Sequence, residues 1–421
     1  MTRLRLAGRQ TFRSLGTRNF RWYLGGQVIS ASGTWMQQIG QVWLVLSLTD
    51  SGLAVGTVAA LQFLPVLLGG AWAGVLADRF DKRKLLVGTS LTAMVLASSL
   101  GALVVLDVVA LWMVYGFAVL LGCTTALDSP ARRSFVTELV PDEHAANAVS
   151  LNTSVFTAAR IVGPAVGGLV IAAAGVAWCF FLNAASFGAV IGALLVMRRD
   201  EIRPAPPVPR EKGQLREGLA YVWASPALRT VLLMTAIIGT LSFNFQVTLS
   251  LMAKKTFAGG PGTFGGLYAL MSVGALAGSL VVAHREKAKT RFVIWSALAF
   301  GAFMLAAAAA PSIGMLAVVL VPMGIASIAF LSSAGALAQS RARPELRGRV
   351  AALFAVAFLG STPIGGPIVG AVSQAFGPRA GLLLGALAAL VTGLFALRAL
   401  NRRVAATAIA AATTATATAT A

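Results

Sequence analysis

The sequence predicts an all-α polytopic membrane protein, with twelve transmembrane helices arranged as two pseudo-symmetric six-helix bundles. Three observations predict it. The chain has 421 residues, of which 57% are hydrophobic and 11% charged, against about 25% charged residues in a soluble domain. Twelve apolar segments each approach the ~20 residues that cross a bilayer. Two pairs of landmarks also recur at a single offset of 203 residues.

The elements follow in order. Residues 1–18 carry Arg3, Arg5, Arg9, Arg13 and Arg18 and read as a basic interfacial arm on anionic lipid; a disordered basic tail is the alternative. The apolar run behind it is too long for a signal peptide and lacks a small-residue cleavage site. The spans are expected at 20–48, 53–77, 85–106, 109–127, 146–173, 176–197, 228–252, 263–283, 291–310, 313–337, 350–375 and 379–399. All must be helical, because backbone groups in lipid need partners within their own segment. The N-terminal half is 19–197, the cytoplasmic linker 198–227 and the C-terminal half 228–400. Residues 401–421 are Ala/Thr low complexity and are expected to form a flexible cytoplasmic tail.

Charge fixes the expected topology. With the N-terminus in the cytoplasm, thirty of the 34 Lys and Arg fall on cytoplasmic segments. Three (Lys254, Lys255 and Arg379) lie outside, and Arg160 lies within the fifth span. The positive-inside rule then puts both termini in the cytoplasm, in the inner cell membrane. The net charge of +20 is topogenic, not a nucleic-acid face, because the bases sit in short runs between apolar segments. Cys123 and Cys179 lie inside apolar stretches, and His144 and His284 are far apart. No metal, cofactor or disulfide is expected, no P-loop occurs, and no cluster of His, Cys or carboxylates suggests an enzyme.

The repeat shows as follows. Pro141-Asp142 precedes the fifth span, and Gly163-Pro164-Ala165-Val166-Gly167 lies within it. At the 203-residue offset, Pro344-Glu345 precedes the eleventh span, and Gly366-Pro367-Ile368-Val369-Gly370 lies within it. The halves therefore read as duplicates, with the seam in the segment that holds Pro204, Pro206, Pro207 and Pro209. Repeat-built transporters bind cargo near the midplane at the repeat interface.

Between the second and third spans the chain reads GVLADRFDKRK. Gly74, Asp78, Arg79, Lys82 and Arg83 match the loop signature of the major facilitator superfamily, which this chain resembles over nearly its whole length; Asp81 replaces the second glycine of the signature. Ser30, Gly33, Thr34, Trp35, Gln37, Gln41 and Trp43 in the first span, with Asp128-Ser129-Pro130-Ala131-Arg132 and Phe135 after the fourth, resemble the branch containing the enterobactin exporter and macrolide and multidrug pumps. Gly163-Pro164 and Gly167-Gly168 resemble the drug-exporter antiporter motif. Ala118 stands where proton-coupled drug antiporters carry an arginine. The resemblance implies a secondary exporter of small organic molecules, siderophore or drug-like, working by alternating access with proton antiport. A lysolipid or lipid flippase and an uptake carrier are the alternatives. The implied partners are a small-molecule substrate, protons and the bilayer, and the implied state is a monomer.

Individual residues sharpen these expectations. Gly74, Asp78, Arg79, Lys82 and Arg83 form the implied conformational latch, with Asp78 facing the start of the eleventh span near Arg347 and Arg349. The 203-residue mate of Asp78 is Val281, so both halves keep the bases but one keeps the carboxylate. Arg160 falls ~20 Å into the fifth span at ~1.5 Å per residue, where a guanidinium costs roughly 2.5–3.5 kcal/mol on insertion scales. It shares a helical face with Asn152 and Phe156, and the three are expected in the central cavity, with Arg160 contacting an anion or the substrate; a structural ion pair or carbonyl clamp is the alternative for Arg160. Ser30, Thr34, Gln37 and Gln41 stripe the first span, and Ser242 and Gln246 stripe the seventh; these polar groups are the expected cavity lining, or else interhelical hydrogen-bond partners. None of the fourteen carboxylates lies mid-span. Asp128 and then Asp78 are the proton-coupling candidates; a helix-end structural contact with Arg132 or a neighbouring loop is the alternative for Asp128. Gly163, Pro164, Gly167, Gly366, Pro367 and Gly370 are expected to kink their helices, because proline removes a ladder donor and crowds the preceding turn.

Overall fold

A computed structural model of the chain describes residues 12–203, 214–283, 289–360 and 362–419, with side chains throughout except at 71, 78, 214–216, 218, 359 and 403–419. Arg3, Arg5 and Arg9 of the basic arm, the prolines of the seam, His284 and the side chain of Asp78 lie outside the described residues. Every regular element among those described is helical.

The N-terminal half holds α1 (Arg18–Thr49), α2 (Gly52–Arg79), α3 (Lys82–Val105), α4 (Leu111–Glu138), α5 (Asp142–Ala174) and α6 (Ala177–Val196). Local chemistry sets their ends. The Ser51 side chain accepts from the Ala54 N–H and starts α2, and the Asp81 side chain accepts from the Lys84 N–H and starts α3, each satisfying a first-turn donor. Asp50 closes α1 at φ 51°, a left-handed conformation that Asp adopts more readily than most residues. Gly175 closes α5 at φ 93°, where a side chain would be strained. α4 continues past the expected end at 127, because Arg132 pairs with Asp128 one turn earlier on the same helix and keeps the polar stretch helical.

The C-terminal half begins with a short amphipathic helix, α7 (Gln214–Ala224), followed by α8 (Pro226–Ser242), α9 (Phe245–Leu251), α10 (Pro261–Ala283), α11 (Thr290–Ala309), α12 (Ile313–Arg341), α13 (Arg347–Leu359), α14 (Thr362–Phe376) and α15 (Pro378–Ala419). Two expected spans are thus broken: the seventh at Phe243–Asn244 and the eleventh between α13 and α14. Counting each pair as one span gives twelve crossings. Eleven are long and apolar enough by themselves, and α1 is the twelfth, its apolar character diluted by its amides and hydroxyls. α15 runs on to Ala419, where the sequence suggested a flexible tail; alanine is the best helix former, and no Gly or Pro follows Gly393 to stop it.

The Gly-Pro motifs lie inside helices. α5 is helical through Pro164 and α14 through Pro367, and the interruption of the eleventh span falls at Gly360, ahead of its Gly-Pro pair. The glycines serve close approach. A Cβ on Gly163 would come within 2.7 Å of the Ser32 carbonyl oxygen, and one on Gly168 within 2.8 Å of the Pro261 carbonyl oxygen.

Two compact units emerge. One comprises 12–203 with Asn244–Val273 and Thr362–Arg379; the other comprises the described residues of 214–243 and 274–360 with those following Arg379. In the first unit, Phe20, Tyr23, Leu86, Phe135, Leu139, Val190 and Leu194 form a core binding α1, α3, α4 and α6 at the N-terminal face. Polar clamps finish that face. The Asn19 side chain donates to the Arg198 carbonyl (2.8 Å) and accepts from its N–H (3.0 Å), while the Ser14 hydroxyl donates to Asn147 Oδ1 (2.6 Å). In the second unit, Phe243 meets Phe300 at a tilt and Phe358 edge-on, Glu217 of α7 pairs with Arg349, and the Arg343 N–H donates to the Tyr221 hydroxyl (3.2 Å).

Candidate functional site

A cavity of about 710 Å³ opens within the first unit, inside the range of small-molecule sites. It lies among the six helices of the N-terminal half. α1 supplies Gln27, Ser30, Thr34, Trp35 and Gln38, and α2 supplies Gln62, Phe63 and Val66. α3 supplies Thr89 and Ser90; α4 supplies Thr124, Thr125, Asp128, Ser129, Arg132 and Arg133; α5 supplies Asn152, Thr153 and Phe156; α6 adds Phe187. The wall is a mixture of hydroxyls, amides and aromatic rings, with charge confined to α4.

The charged part is tightly organised. Arg132 donates from Nε to Asp128 Oδ2 (2.6 Å) and from a terminal nitrogen to Oδ1 (2.7 Å), and the Thr89 hydroxyl donates to the same Oδ1 (2.8 Å). Asp128 is therefore held by a bidentate guanidinium and a hydroxyl, a geometry that fixes both side chains.

Arg160, expected in the cavity, is not among its lining residues but touches one of them. Its guanidinium lies over the Trp35 ring, 5.3 Å from the centroid, and Trp35 in turn meets Tyr268 of α10 at 6.2 Å. The Arg160 Nε is buried without a hydrogen-bond partner. A ring face offers a cation partial compensation but no acceptor for that N–H.

The loop between α2 and α3 is two residues long, Phe80 and Asp81. Gly74 is buried on α2. Lys82 pairs with Glu138 at the end of α4, and Arg83, 8% exposed, donates to the Leu195 carbonyl of α6 (3.0 Å). Two bases at the start of α3 thus tie the N-terminal half to itself.

At the face remote from the N-terminus, α9, the first part of α10 and α14 pack against α1, α2 and α5. Gln246 donates to Gln38 Oε1 (2.9 Å), and Gln38, Gln41, Gln62 and Gln246 border a water-sized void of about 10 Å³. Lys254 bonds Asp50 (2.6 Å) and the Leu46 carbonyl (2.7 Å), which holds the Asp50 carboxyl below the usual carboxylate range. Backbones meet through glycine pairs. A Cβ on Gly56 would overlap the Gly366 carbonyl, and a Cβ on Gly52 would come within 2.9 Å of the Gly370 carbonyl oxygen. The Ser51 hydroxyl donates to Gln374 Oε1 (2.5 Å) alongside.

With this arrangement in view, known proteins supply the family. The major facilitator model described as transmembrane secretion effector matches residues 9–418. The chain belongs to this family. Family and fold are those of membrane transporters. The multidrug efflux pump Tap of Mycobacterium tuberculosis is 27% identical over 390 residues, 88% of this chain and 91% of that protein. An uncharacterized MFS-type transporter of Bacillus subtilis is 28% identical over 282 residues, 65% of this chain. The staphyloferrin A transporter of Staphylococcus aureus is 23% identical over 264 residues, 62% of this chain. The matched regions span 66% of each of the last two relatives. Among solved structures, a bacterial homologue of the human lysosomal transporter Spinster, inward-facing and occupied, aligns with a TM-score of 0.73 at 14% identity, covering 91% of this chain and 98% of that one; at that identity the likeness speaks for fold alone.

For this family member, the expected lining residues divide. Ser30, Thr34, Asn152 and Phe156 do line the cavity, as does Asp128. Gln37 does not: its Oε1 accepts from the Asn183 side chain of α6 (2.6 Å), inside a buried network with Ser186. Ser242 does not either, since its hydroxyl donates to the Gly385 carbonyl (2.8 Å) within the second unit. Gln41 and Gln246 border the small void instead. Sequence reasoning passed over Gln27, Gln38, Gln62, Thr89, Ser90 and Arg133 as lining. Gln27 and Gln38 extend the row through Ser30 and Thr34 at steps of three and four, and could have been found from that row.

Proposed function

We propose that the protein is a secondary exporter of small organic molecules, working by alternating access in the cytoplasmic membrane with both termini inside. The cavity of about 710 Å³ carries the reading. It is large enough for a drug-like or siderophore-like cargo, and its wall offers aromatic faces and neutral hydrogen-bonding groups with little fixed charge. The family's description as a secretion effector and the efflux pump among its relatives support outward transport. On this reading the locked face at Lys254 and the glycine pairs is the outer gate. Its small residues allow tight packing without covalent cost, as membrane helix interfaces commonly do. Proton antiport drives the cycle through Asp128, and Asp78 with Arg79 forms the conformational latch of the loop between α2 and α3. Arg160 contacts cargo or holds the ring of Trp35 for it.

The direct test is transport in everted vesicles against a panel of drugs and siderophores, with and without a protonophore. Energy-dependent accumulation in the vesicles, collapsed by the protonophore, is expected. Accumulation only in right-side-out vesicles makes the protein an uptake carrier, and movement of lipid alone makes it a flippase.

A further inference from the structure

Two guanidiniums flank the cavity without a carboxylate of their own. Asp128 is already engaged by Arg132 and Thr89. Arg133, the next residue, also lines the cavity, and among the described residues no carboxylate lies within ion-pair distance of it. Arg160 stacks on Trp35, itself a lining residue, with Nε buried and unpartnered. The described lining offers no second carboxylate to balance either.

The neutral groups lean the same way. Gln27 and Ser90, each 2% exposed, are lining residues whose Nε2 and hydroxyl are buried without a hydrogen-bond partner. Both can donate. Among the buried, unpartnered atoms of the described lining, Asn152 Oδ1 is an acceptor and the Ser90 hydroxyl can accept as well as donate. A wall with surplus positive charge and surplus donors is best satisfied by a cargo that brings negative charge and acceptors, because an unmade bond at a buried donor is costly. A cationic cargo fits poorly: to reach Asp128 it must break a bidentate pair, and it then faces two unbalanced guanidiniums.

We propose that the cavity takes organic acids, molecules bearing at least one carboxylate ionised at neutral pH, with Arg133 and Arg160 as the counter-charges and Trp35, Phe63 and Phe156 against the apolar part. This deepens the exporter reading and rests on it for the direction of movement, though not for binding.

The test compares two probes that differ in charge and hardly in shape, 1-naphthoate and 1-naphthamide, by isothermal titration on the purified full-length protein in detergent at neutral pH. Naphthoate is expected to bind about tenfold more tightly, the scale of one charge-assisted hydrogen-bonded contact. Arg133→Gln and Arg160→Gln are each expected to weaken naphthoate about fivefold to tenfold and to weaken naphthamide by clearly less, with Arg160→Lys restoring part of the loss. Arg133 is exposed, so its substitution orphans no buried partner and guards against misfolding as the cause. Equal affinities, no binding of naphthoate, or naphthoate affinity untouched by both glutamine variants overturns the assignment. Naphthoate binding without vesicle export removes the exporter reading and leaves this one standing. Export of neutral compounds with no preference for acids does the reverse.

Discussion

Single residues decide what this cavity can do. Asp128 shows how. Its bidentate hold on Arg132 removes one charge of each sign from the wall, and leaves Arg133 and Arg160 to set the local potential. Replacing Asp128 by Asn frees Arg132 and removes the one carboxylate in the described lining. We expect that variant to reach the membrane but to lose the response of export to a protonophore; export still collapsed by the protonophore would take proton coupling away from Asp128. Asp78 is expected to behave differently. Asp78→Asn should insert normally and export at least tenfold more slowly, because a missing latch contact alters the switching equilibrium by about 1.4 kcal/mol or more. Undiminished export in vesicles would dismiss the latch.

Elements carry the contact proposed as the outer gate. α2 and α14 approach so closely at Gly56 and Gly366 that a Cβ on Gly56 would overlap the Gly366 carbonyl, and one on Gly366 would come within 2.7 Å of the Gly56 carbonyl oxygen. Backbone blocks each, so neither clash is relieved by a rotamer change. Gly56→Leu is therefore expected to force these helices apart at that level. A cysteine placed at Ser51, beside Gln374, should then react several-fold faster with a membrane-impermeant maleimide than in the parent, in line with a lost packing contact of about 1 kcal/mol or more. Unchanged reactivity would mean that the α2–α14 contact is not close in the membrane. Here the sequence was legible only in part. The Gly-Pro motifs marked α5 and α14 as special and suggested kinks; that their glycines also let backbones touch was not legible. A motif shows which residues are small; it does not show which helix comes to meet them.

At the scale of the molecule, charge is expected to orient the chain, and the Asp50–Lys254 pair ties one face. Lys255 is exposed just beyond α9, and Lys84 is exposed at the start of α3. With both termini inside, an impermeant amine reagent should modify Lys255 in intact cells and Lys84 only after permeabilisation; the opposite pattern would invert the topology. The Asp50–Lys254 pair gives a pH signature. Hydrogen bonding to Lys254 lowers the Asp50 carboxyl, so the folded state binds this proton less readily than the unfolded one. Its contribution is full above the usual carboxylate pKa and disappears as pH falls through the lowered folded value. The loss of thermal stability in Lys254→Gln is thus expected at neutral pH and should shrink in acid below the usual carboxylate range. A penalty independent of pH would assign it to the Leu46 carbonyl bond (2.7 Å) instead.

The sequence by itself determined the class, the number of crossings and the doubling of the halves. Those follow from hydropathy and from landmarks repeated along the chain, which are properties of one dimension. It also determined that α1 carries polar groups toward something. Which groups face the cavity was decided only in three dimensions. From Thr34 a helical row can continue through Gln37 or through Gln38, and the two point about 100° apart. Asn183 of α6 claims Gln37 (2.6 Å), while Gln38 turns to the cavity. The arginines differ. Arg132 pairs with Asp128 one turn away on the same helix, a spacing the sequence displays. That Arg133 meets no carboxylate among the described residues was decided in three dimensions, because contacts across helices are not contained in the periodicity of any one of them.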